Sequence, residues 1–330
     1  MTDLIPDANT SDVLAEFYKT RRQTDDKAKD EDDYYQALVA LRPDRLDIDQ
    51  IAEIVKWVEA TKRPQPDYGP HVNIFGTGGD GTINVSSMAA IIASHFTRVV
   101  KVGTPGVTSL WGSFDFMQAL QRYLREKSAG NEPVHPFMKW GEGSRYIALS
   151  ELGFAYNTVL RQARRRLKAT GIPDIYKVVF PFANYTNPQI QINGVSTKVY
   201  LNIYDQLAGY FKRASCIVDS EFDIDELMPG RNEIRCWVNE RGHRLNWQFC
   251  ESSEDGVWKL VDEKDSAEET VSLFSDVLNG DADPAIQQTI LYNAALIIAM
   301  QQFAVDQSLE VDMLIKNAHL KISQAIKARY

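Results

Sequence analysis

The segment GTGGDGTINVSS, residues 76–87, is the sequence feature that most constrains the fold. It places four glycines within six positions, between the apolar run HVNIF and the helix-like run SSMAAIIASHF. Glycine costs backbone entropy and adds no side chain to a core, so this density predicts a ligand close to the backbone. A glycine loop between a strand and a helix presents backbone N–H groups that bind phosphate or pyrophosphate.

This loop follows neither of the two common phosphate-binding patterns. It is not GxGxxG, and no GK[ST] follows it as a Walker loop requires. Asp80 would repel a phosphate, so we expect it to accept hydrogen bonds from sugar hydroxyls or to hold the loop in place. Ser86 offers a neutral ligand for a magnesium ion that bridges phosphates. A tight turn followed by a helix N-cap is the alternative interpretation.

The spacing of apolar residues divides the chain into a helical segment and an α/β segment. Apolar residues recur at helical spacing over 35–62, and RPQPDYGP then breaks the helix, which predicts a helical domain over 1–66. A helix near 150–171 is expected to join that domain. From residue 67 to 330, alternating strand and helix patterns predict a layered α/β domain that binds a phosphoribosyl group.

The later part of the chain contains further strand and helix candidates. Helices are predicted over 284–303 and about 308–328, and the segment 127–145 reads as a loop. The strand candidates are YKVVF, VYLNI, ASCIVD, EIRCWV, LNWQFC and GVWKLV.

Composition narrows the classes of function. The chain has 330 residues and a net charge of −9, which argues against bulk binding to nucleic acid or to a membrane surface. Cys216, Cys236 and Cys250 form no CxxC or Cys/His pattern, which predicts reduced structural thiols. The N-terminal segment MTDLIPDANT is unlike a signal peptide, and the longest apolar run, AALIIAM, is too short to span a bilayer. The expected location is the cytoplasm.

Four motifs, in order, resemble the anthranilate phosphoribosyltransferase family and its pyrimidine nucleoside phosphorylase relatives. The two specific motifs are GTGGDG…NVSS and VVKVGTPGVTSLWGSFDFMQAL. FDIDELMPG at 222–230 resembles the acidic motif of the family, and VLNG…LYNAAL at 277–296 resembles its closing helix. The chain is therefore identified as a divergent paralogue within this glycosyltransferase family.

The resemblance implies a small N-terminal helical domain beside a larger α/β domain with a central mixed sheet, usually as a homodimer. It also implies a pentosyltransferase that uses phosphoribosyl pyrophosphate and Mg²⁺ to ribosylate an acceptor. Lys101 and Asp80 fall on catalytic positions, and Ser86, Asp225 and Glu226 fall on the metal ligands. Because pyrophosphate leaves from an oxocarbenium-like sugar, the chemistry needs cations and N–H groups around the leaving group.

The positions that match the family's binding site for phosphoribosyl pyrophosphate are Gly76, Thr77, Gly78, Gly79, Asp80, Thr82, Asn84, Val85, Ser86, Ser87, Lys101, Gly103, Ser109 and Ser113.

The chain departs from the family on the acceptor side. Where the family reads KHGNR, this chain reads KVGTP, so Val102, Thr104 and Pro105 replace the histidine, asparagine and arginine. The family's His-Pro-Ala-Met histidine also has no counterpart after LGFAY. These losses predict an unknown aromatic acceptor other than anthranilate.

Four residues are the candidates for contacting that acceptor: Thr104, Trp111, Arg164 and Arg165. Arg164 or Arg165 is the nearest match to the family's arginine for the acceptor carboxylate, and a solvated basic face is the alternative. Trp111 either stacks on the acceptor or packs under its loop.

Two other functions stay open at this stage. One is a non-catalytic relative that binds a ligand, or binds nucleic acid through the basic segment 161–168. The other is a nucleoside phosphorylase-like enzyme, which the partly matched phosphate-binding Lys-Ser pair of that group makes less favourable. Retention of Ser86, Asp225 and Glu226 favours metal-dependent chemistry over both.

Overall fold

The computed structural model describes residues 13–15, 17, 27–76, 83–106, 111–154, 158–239, 241–249 and 266–328. The segments 77–82, 107–110 and 250–265, which include most of the glycine loop, lie outside the described residues.

The described helices and strands follow one another in an alternating order. They are α1 (Lys27–Ala40), α2 (Ile48–Thr61), β1 (Val72–Gly76), α3 (Val85–Ala93), β2 (Val99–Gly103), α4 (Ser113–Ala129), a 3₁₀ turn (Pro136–Met138), β3 (Arg145–Ala148), α5 (Thr158–Ala169), α6 (Tyr176–Phe182), β4 (Ile190–Val195), α7 (Lys198–Phe211), β5 (Ser215–Ser220), β6 (Gly230–Val238), β7 (Arg241–Phe249), α8 (Ala267–Asn279), α9 (Pro284–Val305) and α10 (Val311–Lys327).

The described strands form one mixed sheet in the order β3-β2-β1-β4-β5-β6-β7. Strands β1 to β5 pair in parallel, whereas β6 pairs antiparallel with both β5 and β7. The carboxyl ends of β1, β2, β4 and β5 therefore point the same way, as ligand sites of open α/β sheets require. The predicted α/β class with a central mixed sheet is confirmed.

Helices cover both faces of the sheet and form two apolar cores. Helices α3, α4, α8, α9 and α10 bury one face, where Ile74 and Ile192 point. Helices α1, α2, α5, α6 and α7 bury the other, where Phe75 and Ile217 point. The N-terminal helices contact α5, α6 and α7 across that second core. The predicted domain boundary at residues 66 and 67 stays a prediction.

Local sequence signals explain where the helices begin. The side chain of Asp47 accepts from the N–H of Gln50, whose own side chain accepts from the N–H of Asp47. This capping box fixes the first turn of α2. Ile51, Ile54, Val55 and Val58 then line one face of α2 and are buried.

Two strand predictions are wrong, because YKVVF and VYLNI lie in helices α6 and α7. In α6 a carboxylate oxygen of Asp174 accepts from the N–H of Tyr176, and in α7 the side chain of Thr197 accepts from the N–H of Tyr200. The burial of both helices, together with the Thr197 cap of α7, overrides the strand preference of their β-branched and aromatic residues. ASCIVD, EIRCWV and the described part of LNWQFC are strands as predicted, whereas GVWKLV lies outside the described residues.

Three elements were not expected: β3, β4 and α8. Strand β4 is fully buried, but it contains Gln191, Asn193 and Gly194, which are not typical of a buried strand, and the sequence pattern therefore did not predict it.

Two cysteines lie opposite each other in neighbouring strands. Cys216 and Cys236 are paired positions of β5 and β6, and both are buried free thiols, as expected. Cys250 lies outside the described residues. Of the helices that the structure describes, none has the length and apolar character needed to cross a membrane.

Candidate active site

A cleft opens at the carboxyl ends of β1, β4 and β5. It encloses about 370 Å³ when its open mouth is included. The residues that line it are Ile74, Phe75, Ser86, Ala89, Ile192, Gly194, Val218, Asp225, Glu226, Asn293, Leu296 and Ile297. Asp225 and Glu226, called here the acidic pair, therefore share one cleft with Ser86, although they are 139 to 140 positions away in the chain.

Gly194 lets the loop between β5 and β6, residues 221–229 and called here the acidic loop, lie directly on the sheet. A β-carbon at Gly194 would stand 1.6 Å from the carbonyl oxygen of Asp225, a distance that no side chain tolerates. Gly194 also pairs with Gly76, the last residue of β1 before the glycine loop. The two glycines therefore bring the acidic loop and the start of the glycine loop to neighbouring strand ends.

Asn293 of α9 holds the acidic loop in place. Its carbonyl oxygen accepts from the N–H of Leu227 at 3.0 Å, and its amide donates to the carbonyl of Leu227 at 2.8 Å. Two more side chains fasten the ends of this loop, since Ser220 bonds the backbone of Ile224 and Asn232 bonds that of Met228. Sequence reasoning did not assign a role to Asn293, although it lies in the LYNAAL motif.

The first turn of α3 meets the acidic pair. The N–H of Ser86 donates to Glu226 Oε1 at 3.4 Å, and the side chain of Ser86 is half-buried. Asp225 and Glu226 are only 6% and 5% exposed. Because burial of carboxylates is costly unless positive charge compensates them, this pair indicates a place for cations.

Lys101 supplies one such positive charge from the middle of β2. Its side chain is 2% exposed, and burial lowers its pKa to about 8, although Glu226 and Asp225 act in the opposite direction. The structure thus brings together four of the predicted residues, Lys101, Ser86, Asp225 and Glu226.

The loop after β2 is organised around Gly103. A β-carbon at Gly103 would stand 1.9 Å from Ser113 Oγ and 2.7 Å from the hydroxyl of Tyr146, so both hydroxyls lie against it. Asp115 accepts from the N–H groups of Gly106 and Gly112, both at 2.8 Å, which folds this loop back onto α4. Ser113 therefore lies at the end of β2, as the sequence motif requires.

The other predicted residues lie in several environments. Asn84 precedes α3 with φ of 38°, and Val85 and Ser87 are buried in its first turn. Thr104 is half-buried and Trp111 is 37% exposed. Those outside the described residues are Thr77, Gly78, Gly79, Asp80, Thr82 and Ser109.

The two candidate arginines differ sharply, and neither lines the cleft. Arg164 is 5% exposed, and its Nε donates to Asp174 Oδ2 at 2.6 Å. Its guanidinium also lies 5.0 Å from the centre of the Tyr176 ring. Arg165, the next residue of α5, is exposed.

The donor set of the cleft suits a hard divalent cation. Asp225, Glu226 and the hydroxyl of Ser86 offer only oxygen atoms, which Mg²⁺ prefers. In the described part of the chain, no group of three or more acidic, histidine or cysteine side chains is placed to hold a metal. Two carboxylates are enough for Mg²⁺ when water and substrate phosphates complete its shell, so the residues fit this ion.

The fold and the cleft define a class, that of open α/β enzymes whose site lies where the strand order reverses. Comparison with known families agrees. The model of the glycosyl transferase family, a/b domain, matches residues 68–326, and the chain therefore belongs to this family.

The relatives and solved structures are consistent with one another. The chain is 28% identical over 242 residues to the anthranilate phosphoribosyltransferase of Methanococcus aeolicus, covering 70% of this chain and 69% of the relative. It is 29% identical over 288 residues to that of Methanococcus maripaludis, covering 82% and 81%. The Saccharomyces cerevisiae enzyme in complex with PRPP and Mg has a TM-score of 0.68 at 19% identity, covering 98% and 91%. The Thermus thermophilus enzyme has a TM-score of 0.60 at 17% identity, covering 96% and 97%.

These findings confirm the family that the four motifs predicted. They also confirm the predicted enzyme class, a glycosyltransferase of the pentosyltransferase type.

Proposed function

We propose that this chain is a phosphoribosyltransferase that binds phosphoribosyl pyrophosphate with Mg²⁺ and transfers the phosphoribosyl group to an acceptor other than anthranilate. The observation that carries the proposal is the meeting of Lys101, Ser86 and the Asp225–Glu226 pair beside the end of β1. The names of its relatives, anthranilate phosphoribosyltransferases, and the yeast complex with PRPP and Mg support it.

The residues of the cleft divide the work as follows. Asp225, Glu226 and Ser86 would hold Mg²⁺, which neutralises phosphate charge when bound. Lys101 sits beside them and stabilises the charge that develops on the leaving pyrophosphate. Asn293 keeps the acidic loop fixed, so little reorganisation is needed as that charge develops. The glycine loop with Asp80 would bind the phosphate groups and the sugar.

The acceptor side supports an acceptor other than anthranilate. Val102 is fully buried in the core on the α5 and α6 face and offers no donor. Arg164 is engaged with Asp174. A carboxylate left without donors costs about 1–3 kcal/mol for each lost contact, and two or three such losses weaken transition-state binding by a factor of hundreds or more.

We further propose that the enzyme works as a homodimer in the cytoplasm. Nucleic-acid binding through segment 161–168 gains little support, because Arg164 pairs with Asp174 and Arg166 pairs with Asp32. The net charge of −9 opposes the same alternative.

Calorimetric titration with phosphoribosyl pyrophosphate, with and without Mg²⁺, tests the site. Wild-type protein should bind far more tightly with Mg²⁺, and the variant Asp225→Asn/Glu226→Gln should lose that dependence. The matched control is Asp281→Asn/Glu310→Gln, which removes the same charge from exposed positions. A full response to Mg²⁺ in the Asp225/Glu226 variant would remove the acidic pair from the metal site.

A fluorescence assay of anthranilate consumption tests the acceptor. We expect very slow turnover at saturating phosphoribosyl pyrophosphate and Mg²⁺. Turnover near ~10 per second, the ordinary median for enzymes, would show that anthranilate is the acceptor after all. Phosphate-dependent cleavage of pyrimidine nucleosides, measured in the same preparation, would instead identify a nucleoside phosphorylase-like enzyme.

A further inference from the structure

Tyr146 of β3 carries a hydroxyl that points into the protein. The residue as a whole is half-buried, but its hydroxyl is closed off from solvent. A tyrosine near a protein surface normally does the opposite and keeps its hydroxyl in water above a buried ring. Because buried tyrosine hydroxyls usually have a hydrogen-bond partner, the inward direction of this one indicates a polar group beside it.

The hydroxyl of Tyr146 lies at the carboxyl end of β2. Tyr146 pairs with Lys101 of β2, and a β-carbon at Gly103 would stand 2.9 Å from a ring carbon of Tyr146 and 2.7 Å from its hydroxyl. Lys101 and Gly103 are two positions apart in one strand, so they share a face of the sheet. The tyrosine hydroxyl is therefore on the face from which Lys101 interacts with the acidic pair.

The hydroxyl of Ser113 lies beside that of Tyr146. A β-carbon at Gly103 would also stand 1.9 Å from Ser113 Oγ, so both hydroxyls adjoin the same point. Burial raises the pKa of Tyr146 well above its usual value, and the nearby Ser113 hydroxyl acts in the opposite direction. Within the part of the chain that the structure describes, the tyrosine hydroxyl makes no hydrogen bond of full geometry. Tyr146 therefore keeps its hydrogen, which it can donate to Ser113 Oγ.

Hydrogen bonds hold the backbone on both sides of Ser113. Asp115 accepts from the N–H of Gly112 at 2.8 Å, and the N–H of Phe114 donates to the carbonyl of Thr104 at 3.1 Å. These bonds fix the first turn of α4 against the loop after β2. They do not set the direction of the serine hydroxyl, which depends on the partners of its own oxygen and hydrogen. A bond from Tyr146 to Ser113 Oγ would set it and leave the serine hydrogen to donate elsewhere.

We propose that Tyr146 is a positioning residue on the β2 side of the candidate active site. Its hydroxyl donates to Ser113 Oγ and thereby directs the hydrogen of Ser113 at a phosphate oxygen of phosphoribosyl pyrophosphate. Ser113 is the first residue of α4, a helix of 17 residues, and such a position favours an anion. A serine that accepts from tyrosine is also a better donor, since hydrogen bonds in a chain strengthen one another. This inference rests on the function proposed above.

Calorimetric titration of the full chain with phosphoribosyl pyrophosphate in the presence of Mg²⁺ tests this role. Tyr146→Phe removes only the hydroxyl and should weaken binding by about threefold to tenfold, as the loss of one hydrogen bond does. The matched control is Tyr123→Phe, the same change at a half-buried position ten residues after Ser113 in α4, which should leave the affinity unchanged. An affinity that stays the same in Tyr146→Phe would overturn the proposal.

A double-mutant cycle separates positioning from a merely structural role. Ser113→Ala should weaken binding by about tenfold or more, because it removes a hydrogen bond to a charged group. In that background Tyr146→Phe should weaken binding further by less than about twofold, since the group through which it acts is gone. Equal effects of Tyr146→Phe in the two backgrounds would overturn the positioning role, because a loss of packing or stability does not depend on Ser113.

The wild-type titration distinguishes this proposal from the function on which it rests. If wild-type protein does not bind phosphoribosyl pyrophosphate with Mg²⁺, the proposed function is wrong and the role of Tyr146 falls with it. If wild-type protein binds and neither Tyr146→Phe nor Ser113→Ala weakens binding, only the role of Tyr146 is wrong.

Separate titrations with pyrophosphate and with ribose 5-phosphate test the contact with phosphate. Both single variants should lose affinity for the same one of these two ligands, the one whose phosphate Ser113 contacts. Losses for different ligands, or for neither, would overturn the proposed action of Tyr146 through Ser113 on a phosphate oxygen.

Discussion

The cleft and a second cavity, called here the Arg164 cavity because Arg164 and Asp174 help to line it, both adjoin the end of β4. In the cleft, the backbone of Asp225 lies against Gly194, and Lys101 interacts with the buried carboxylates of Asp225 and Glu226. In the Arg164 cavity, the buried carboxylate of Asp174 is paired with Arg164. The same strand end therefore adjoins buried carboxylates that are held in two different ways, by close backbone packing and by an ion pair.

The two sites are also held together by different interactions. Neutral hydrogen bonds from Asn293, Ser220 and Asn232 fasten the acidic loop. In the wall of the Arg164 cavity, Arg164 and Asp174 form a buried ion pair. Because losing one partner of a buried pair leaves a charge exposed to an apolar interior, we expect the wall of the Arg164 cavity to be the more sensitive of the two to substitution.

The largest expected effect is that of Arg164→Ala. Asp174 would stay buried without its cation, so the free energy of unfolding should fall by about 3–5 kcal/mol in urea denaturation. Arg165→Ala, at the next and exposed position, is the control and should change it by about 0.5 kcal/mol or less. Similar losses in both variants would mean that the buried pair contributes nothing special.

The second prediction concerns Lys101 and pH. Its pKa is about 8 in the folded chain and 10.5 unperturbed, so between these values the unfolded chain binds more protons. The contribution of Lys101 to the free energy of unfolding should therefore rise from pH 8 to pH 10.5, by on the order of 3 kcal/mol. Below pH 8 the contribution should be constant, because the amine is charged in both states.

Urea denaturation of wild type and Lys101→Met across this range measures the change. Titration of ¹³C-labelled lysine side chains by NMR should show one midpoint near 8 that is absent from the variant. In the cleft, affinity for phosphoribosyl pyrophosphate should fall as the pH rises through the same midpoint. A Lys101 signal that titrates near 10.5 would contradict the burial of its charge beside the acidic pair.

The smallest expected effect on stability is that of alanine substitution at Gly194, with Gly209 as the control. Gly194→Ala forces the β-carbon against the backbone of Asp225 and should cost about 1–3 kcal/mol, as overpacking does, with loss of Mg²⁺-dependent binding. Gly209→Ala in α7 meets only Trp237, at 3.5 Å, and should stabilise the helix by up to about 1 kcal/mol. Unchanged Mg²⁺-dependent binding in Gly194→Ala would show that the acidic loop moves without consequence.

Short motifs in a fixed order predicted the fold class and the residues that meet at the cleft. The composition of single segments, by contrast, gave two wrong strand predictions. YKVVF and VYLNI have strand composition, but Asp174 accepts from the first N–H of α6, Thr197 caps α7, and the burial of both helices decides the outcome. Strand β4 escaped notice because Gln191 and Asn193 are polar yet buried, since Gln191 donates to Asn193 inside the core.

The site residues divide in the same way. Ser86, Lys101, Asp225 and Glu226 lie in motifs and were predicted, although their roles stay predictions. The ion pair of Arg164 with Asp174 joins residues that are ten positions apart, and the hydrogen bonds of Asn293 to Leu227 join residues that are 66 positions apart. No local pattern contains such contacts.

The two outermost strands described in the sheet bear on how copies of this chain meet. An open edge strand offers unpaired backbone groups that recruit strands from other molecules, which leads to aggregation. Here β3 has only four residues, and β7 presents the exposed residues Arg241, His243 and Arg244 along its first half. Short length and charge are the usual protections of such edges. We therefore expect any association between copies of this chain to bury helical surfaces and not to add strands to the edges of the sheet.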